Sequence, residues 1–174
     1  MPRKARELLA QIDALPWRDD LRRRVQHYGC RYNYKARRVT RDSYLGPLPE
    51  WPATLAGGLS ADGIFEAVPD QVIVDEYLPG QEIAAHVDCE PCFGDMIASL
   101  SLGSGCTMDF TPLSLQPALA HRLEPASLLV LEGVSRFDWK HGIAARRSDE
   151  VAGTTVPRGR RVSLTFRNVI RIAD

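Results

Sequence analysis

The chain has 174 residues, with 22 Lys and Arg against 22 Asp and Glu, so its formal net charge is zero. Hydrophobic residues make up 44% and charged ones 25%, ordinary for one globular domain, which excludes a disordered chain or one coated in basic charge. No apolar run approaches a membrane span and the segment 1–13 lacks the apolar core of a signal peptide, so a cytoplasmic monomer with no membrane partner is expected. In such a reducing compartment the four cysteines, Cys30, Cys89, Cys92 and Cys106, are expected to be free thiols.

Leu8, Leu9 and Ile12 recur at helical spacing, and Asp19-Asp20 is expected to open a second helical segment through Leu21 and Val25. A polar stretch follows over 27–44, carrying Tyr28, Tyr32, Tyr34 and Tyr44. The turn Gly46-Pro47-Leu48-Pro49 leads into a predicted helix from Trp51 to about Leu59. From residue 71 the pattern changes to short β-branched and apolar runs cut by Gly and Pro. Strands are predicted over 71–78, 82–87, 96–102, 106–110, 127–131 and 162–170. The segments 111–125 and 146–160 read as long polar surface connections. The whole fits a single domain over 1–174 of α+β class, mainly β. Residues 1–70 form a helical and lid region, and 71–170 a double antiparallel sheet or barrel.

His86-Val87-Asp88 places a His and an Asp two residues apart, on the same face if the segment is a strand. His141, after Trp139-Lys140 and before Gly142, is the candidate third ligand. Two His and one carboxylate on one side of a metal form the facial arrangement of non-haem iron(II) oxygenases. The three positions left open suit a bidentate 2-oxo acid and dioxygen. Taken alone, the triplet fits better two polar strand residues facing water, with His141 a hydrogen-bonded loop residue.

Arg161-Val162-Ser163-Leu164-Thr165-Phe166-Arg167 alternates polar and apolar residues, so both arginines share one face of a strand whose other face is apolar. An enclosed guanidinium needs an anion, and its planar fork matches a carboxylate. The distal carboxylate of 2-oxoglutarate is such an anion, while its 2-oxo acid end chelates iron. A solvated strand face with two surface arginines is the plainer alternative.

Five motifs in order, Tyr77-Leu78-Pro79-Gly80, His86-x-Asp88, Ile97-Ala98-Ser99-Leu100-Ser101-Leu102-Gly103, Trp139-Lys140-His141-Gly142-Ile143 and Arg161 to Arg167, resemble the AlkB family. The resemblance implies a double-stranded β-helix (jelly roll) core after N-terminal helices. It implies Fe(II), 2-oxoglutarate and dioxygen as cofactor and cosubstrates, with His86, Asp88 and His141 as metal ligands. Arg161 would salt-bridge the distal carboxylate, Arg167 would bond the end nearer the iron, and Tyr77 would donate its hydroxyl to the cosubstrate. Many members carry Asn two residues before this Tyr, where Asp75 stands here. That Asp is expected to pair with Arg161 or Arg167, or to point towards substrate. Ser163 stands where some relatives carry Asn, and the motifs look closest to the branch with tRNA-modifying homologues.

The implied reaction is oxidation of an alkylated or modified base in DNA, RNA or tRNA, with 2-oxoglutarate converted to succinate. The lid would grip nucleic acid and present a flipped base. The run over 30–38 interleaves Arg31, Lys35, Arg37 and Arg38 with Tyr32 and Tyr34, joining cations for phosphates to aromatic stacking surfaces. Glu90 and Trp139 complete the expected substrate set. Two other readings remain open from the sequence: an oxygenase acting on protein or a small molecule, and a nucleic-acid-binding or zinc-stabilised module with an inactive metal site. The zinc reading rests on Cys89-x-x-Cys92.

Overall fold

The computed structural model describes residues 2–19, 22–34 and 36–170. Helix α1 (Arg3–Asp13) and helix α2 (Glu50–Ala61) flank a first strand, β1 (Val25–Tyr28). Ten further strands follow: β2 (Gln71–Tyr77), β3 (Ile83–His86), β4 (Phe93–Gly103), β5 (Cys106–Pro112), β6 (Leu119–Leu123), β7 (Leu128–Leu131), β8 (Trp139–Ile143), β9 (Ser148–Val151), β10 (Thr154–Pro157) and β11 (Arg161–Val169). A one-turn helix, α3 (Gly133–Phe137), joins β7 to β8. The major sheet runs β1-β2-β11-β4-β7 and the minor sheet β3-β8-β5-β6, with β9-β10 a separate hairpin. The two sheets form the expected jelly roll. Among the described residues no helix is long and apolar enough to cross a membrane.

Strand β11 sits at the centre of the major sheet, paired antiparallel to β2 on one edge and β4 on the other. Its alternation decides what each face does. Val162, Leu164 and Phe166 are 0%, 0% and 1% exposed. They pack with Val72, Val74, Ala98 and Leu102 under Ala5 and Ile12 of α1 and Ala56 of α2. Burying each such side chain stabilises the fold by roughly 1.5–3 kcal/mol. This apolar layer seats both helices, and it leaves Arg161, Ser163, Thr165 and Arg167 facing the minor sheet. A second cluster, with Phe93, Ile97, Met108, Phe110, Leu131 and Ile143, fills the space between the sheets around the polar cavity.

The structure corrects four expectations. The second helical segment does not form: residues 22–24 are irregular, and Val25 opens β1 and pairs with Asp75 of β2, where extending the sheet gains more than a short isolated helix. Asp20 and Leu21 lie outside the described residues. The polar connection over 111–125 contains β6, which pairs with β5 as an edge strand. The connection over 146–160 is the β9-β10 hairpin, turned at Ala152 and Gly153 with φ of 49° and 78°, a two-residue loop of positive φ that suits strand twist. Last, Cys89 and Cys92 are joined in a disulfide, their Cα atoms 5.3 Å apart in the turn before β4, whereas Cys30 and Cys106 are free and buried.

Candidate metal centre and its cavities

His86, at the end of β3, lies directly across from His141 in the middle of β8. The two rings are 4.6 Å apart between centroids. Gly142 makes this approach possible, because a Cβ there would lie 2.9 Å from Ala85 Cα and Ala85 N. Asp88 lies two residues beyond the end of β3 and is 6% exposed. Candidate ligand atoms of His86, Asp88 and His141 all fall within 4.8 Å of one another, and among the described residues no other group of three His, Cys, Asp or Glu converges in this way.

The donor set fits a divalent cation. His86 Nδ1 lies 2.8 Å from the Ala84 carbonyl, so as a donor there it leaves Nε2 with its lone pair for a metal. Asp88 Oδ1 accepts a hydrogen bond of 2.7 Å from Arg167 Nη2. Its Oδ2 is buried with no hydrogen-bond partner and lies 3.7 Å from His141 Nε2. A buried carboxylate oxygen left bare costs free energy unless a cation meets it. Burial pushes the His141 pKa down to about 4, against the pull of Asp88, so the imidazole is neutral near neutral pH. Burial alone would raise the Asp88 pKa, but Arg167, the two histidines and Arg136 together hold it below the usual range. Arg136, on α3 and 2% exposed, donates to the Asp88 backbone carbonyl at 3.1 Å and so pins the ligand-bearing turn. The sequence offered no signal for this role, because α3 is too short to show helical periodicity.

Behind the triad a narrow cavity runs between the sheets, lined by Asp75, Tyr77, Met108, Arg161, Ser163, Thr165 and Arg167 among others. Cross-strand register sets its wall, with Tyr77 opposite Arg161 and Asp75 opposite Ser163. Arg161 is 3% exposed. Its Nη2 donates to Ser101 Oγ at 2.9 Å and its Cζ sits 5.4 Å from the Tyr77 ring centroid. Among the described residues it has no acidic partner, which leaves a buried guanidinium awaiting an anion. Arg167, expected to bond the cosubstrate end nearer the iron, lines the same cavity; its Nη2 donates to Asp88, and its Nε is buried with no hydrogen-bond partner. Asp75 pairs with neither of them: Arg23 Nε donates to its Oδ1 at 2.7 Å. Arg23 belongs to the Arg22-Arg23-Arg24 run, which looks like a solvated cluster in sequence. The fold splits that run, sending Arg24 to Glu76 on the opposite face of β2.

A wider cavity of about 310 Å³ opens over the triad, lined by Arg23, Tyr32, Tyr34, Arg37, Val87 and Cys89 together with His86 and Asp88. Tyr32 and Tyr34 meet edge to face at 5.1 Å, and Arg37 Nη2 donates to the Val87 carbonyl at 3.1 Å. Of the expected substrate residues, the structure thus brings Tyr32 and Tyr34 to the metal centre. It places Arg31 elsewhere, on a shallow surface with Leu15, Arg18 and His27. Glu90 is exposed on the turn after Asp88, and Trp139 packs against the apolar cluster containing Phe93 and Phe110. Neither lines either cavity. Lys35 lies outside the described residues. A larger cavity of about 740 Å³, between α1 and α2, is remote from the triad and mainly apolar.

Comparison with known proteins agrees with this geometry. Residues 13–167 match a family model described as the 2OG-Fe(II) oxygenase superfamily. A protein of Acanthamoeba polyphaga mimivirus, described as uncharacterized protein L905, is 35% identical over 98% of this chain and 81% of its own length. The Mus musculus tRNA (carboxymethyluridine(34)-5-O)-methyltransferase ALKBH8 is 38% identical over 86% of this chain, which spans 25% of that protein. Among solved structures, that of OsALKBH1 superposes with a TM-score of 0.60 at 22% identity, covering 85% of this chain and 78% of the other, and so shares the fold.

Proposed function

The chain belongs to the 2OG-Fe(II) oxygenase superfamily and is AlkB-like, and on that premise we propose that it oxidises alkylated or otherwise modified bases in DNA, RNA or tRNA. The enzyme uses Fe(II), 2-oxoglutarate and dioxygen. His86, Asp88 and His141 hold the iron, which when bound couples dioxygen reduction and 2-oxoglutarate decarboxylation to oxidation of a substrate C–H bond. Arg161 takes the distal carboxylate of 2-oxoglutarate, with Tyr77 and Ser163 lining its path. Arg167 orients Asp88 from behind and balances its charge.

The observation that carries the nucleic-acid reading is the 310 Å³ cavity over the triad, with Tyr32 and Tyr34 in its wall and Arg37 at its rim. It offers room for a single base, aromatic surfaces to stack on and cations for the flanking phosphates. The names of several relatives point the same way. The complete triad and a buried Arg161 with no acidic partner among the described residues speak against an inactive binding module, and the Cys89–Cys92 disulfide speaks against a zinc site built on those thiols.

The test is mass spectrometry of methylated oligonucleotides and tRNA after incubation with iron, 2-oxoglutarate and dioxygen, with binding measured across a salt series. Oxidised base should appear, and affinity should fall as salt rises because phosphate contacts release counterions. Replacing Lys35, Arg37 and Arg38 with Ala should flatten the salt slope while sparing uncoupled succinate formation. Negligible nucleic-acid binding at low salt, with turnover of a protein or metabolite unaffected by the same changes, would replace this reading with the rival substrate class.

A further inference from the structure

Asp75 is the unusual group in the centre. It is 7% exposed and lines both the narrow cavity assigned to the cosubstrate and the wider one beneath the lid. An isolated carboxylate there would face an incoming dicarboxylate, and like charges at short range in a dry cavity repel strongly. Neither cavity arginine relieves it. Arg167 is held by Asp88 at 2.7 Å, and Arg161 points at Ser101. The compensating charge comes from outside the jelly roll, from Arg23, just ahead of β1. Its side chain is 14% exposed, and its Cζ lies 5.8 Å from the Tyr34 ring centroid and 5.6 Å from that of Tyr77. Arg23 is therefore held between a lid aromatic and a cosubstrate-cavity aromatic with its fork on Asp75. Burial works against its charge, yet Asp75, with Tyr77 and Tyr34, outweighs that and holds the Arg23 pKa above its usual value.

We propose that Arg23 is a positioning residue for the oxygenase reaction, acting by neutralising Asp75 so that the cavity accepts the dianionic cosubstrate. The inference rests on the cosubstrate reading above. It assigns Arg23 an electrostatic role that stacking on two tyrosines alone would not supply. Asp75 and Arg23 then form one unit, in which the acid is tolerated only while the cation is present.

The experiment is anaerobic calorimetry of 2-oxoglutarate binding to the Mn(II)-loaded protein, for wild type, Arg23→Gln, Asp75→Asn and the double variant, with thermal melts as a check on folding. Arg23→Gln should weaken binding by about tenfold or more. Asp75→Asn alone should bind at least as well as wild type. The double variant should return to within about threefold of wild type, because the charge to be neutralised is gone. Should Arg23→Gln fail to fold, Arg23→Lys, which keeps the charge, should bind within about threefold of wild type, and a loss of about tenfold or more there overturns the proposal. Unchanged affinity in Arg23→Gln overturns the proposal. So does a loss that Asp75→Asn does not rescue, since that is what a purely structural Arg23 would give. Wild-type protein that binds Mn(II) but no 2-oxoglutarate would overturn the cosubstrate reading along with it.

Discussion

Arg167 Nη2 donates to one oxygen of Asp88 at 2.7 Å and leaves the other bare towards His141 Nε2, 3.7 Å away. One carboxylate is thus shared between a fixed cation and the candidate metal position. Asp88→Ala should abolish metal binding and also lower stability by about 3–5 kcal/mol, because Arg167 loses its buried partner. His141→Ala should abolish metal binding at far smaller cost to the fold, since its imidazole is neutral. Anaerobic Co(II) titration followed by absorbance, with a urea melt of each variant, separates the two. Equal stability of both would refute the coupling of Arg167 to Asp88.

Arg161 is the buried guanidinium whose partners are a serine and a tyrosine ring. Arg161→Ala should raise the 2-oxoglutarate requirement by roughly 2–5 kcal/mol, tens- to thousands-fold, from loss of a charge-assisted contact. Metal affinity in the absence of cosubstrate should hold within a few-fold. A cosubstrate dissociation constant unchanged from wild type would put the distal carboxylate elsewhere.

Gly142 lets β8 approach β3 closely. In Gly142→Ala the new methyl would lie 2.9 Å from Ala85 Cα and 3.0 Å from the Ile83 carbonyl. The strands must separate, and His86 moves away from His141. Metal affinity should drop by about tenfold or more while the far-ultraviolet circular dichroism spectrum stays that of the parent. Retained affinity would show that β3 can shift without carrying its histidine along.

Acid stability should depend on Glu76, on the outer face of β2 away from the metal. Hydrogen bonds from Arg24, together with Arg160, outweigh burial and hold its pKa below the usual 4.5. The folded pKa is depressed, so the stabilisation is fully present above about pH 4.5 and is lost as pH falls through the lower folded value. Glu76→Gln should lower stability at pH 7 by about 1–3 kcal/mol and flatten this acid limb. A variant whose melting temperature tracks wild type from pH 7 to pH 3 would contradict the assignment.

The parts of the centre legible in the sequence were those written with a two-residue period. The alternation of Arg161, Ser163, Thr165 and Arg167 against Val162, Leu164 and Phe166 follows from strand geometry alone, whereas His86 ends β3 and Asp88 reaches the same side from the turn beyond it. The helix over Glu50–Ala61 was legible from its Pro-rich entry. Arg23 was not, because its meaning depends on the pairing of Val25 with Asp75 across 50 residues. The β9-β10 hairpin was hidden by polarity, since it is held by buried ions: Arg158 donates to Asp149 at 2.6 Å and 2.8 Å. Such contacts carry no hydrophobic period. The disulfide depended on the tight turn at 89–92, which composition does not report.

Strand β11 is hydrogen-bonded on both sides, while β1 closes the outer edge of the same sheet. Amide exchange should therefore be slowest where Arg161 and Arg167 are anchored and much faster near Arg23, Tyr32 and Tyr34. Transient opening loosens the periphery first. On warming, such a molecule loses its grip on substrate before it loses the apparatus that consumes cosubstrate, so heat damage should register as wasted 2-oxoglutarate ahead of any collapse of the barrel.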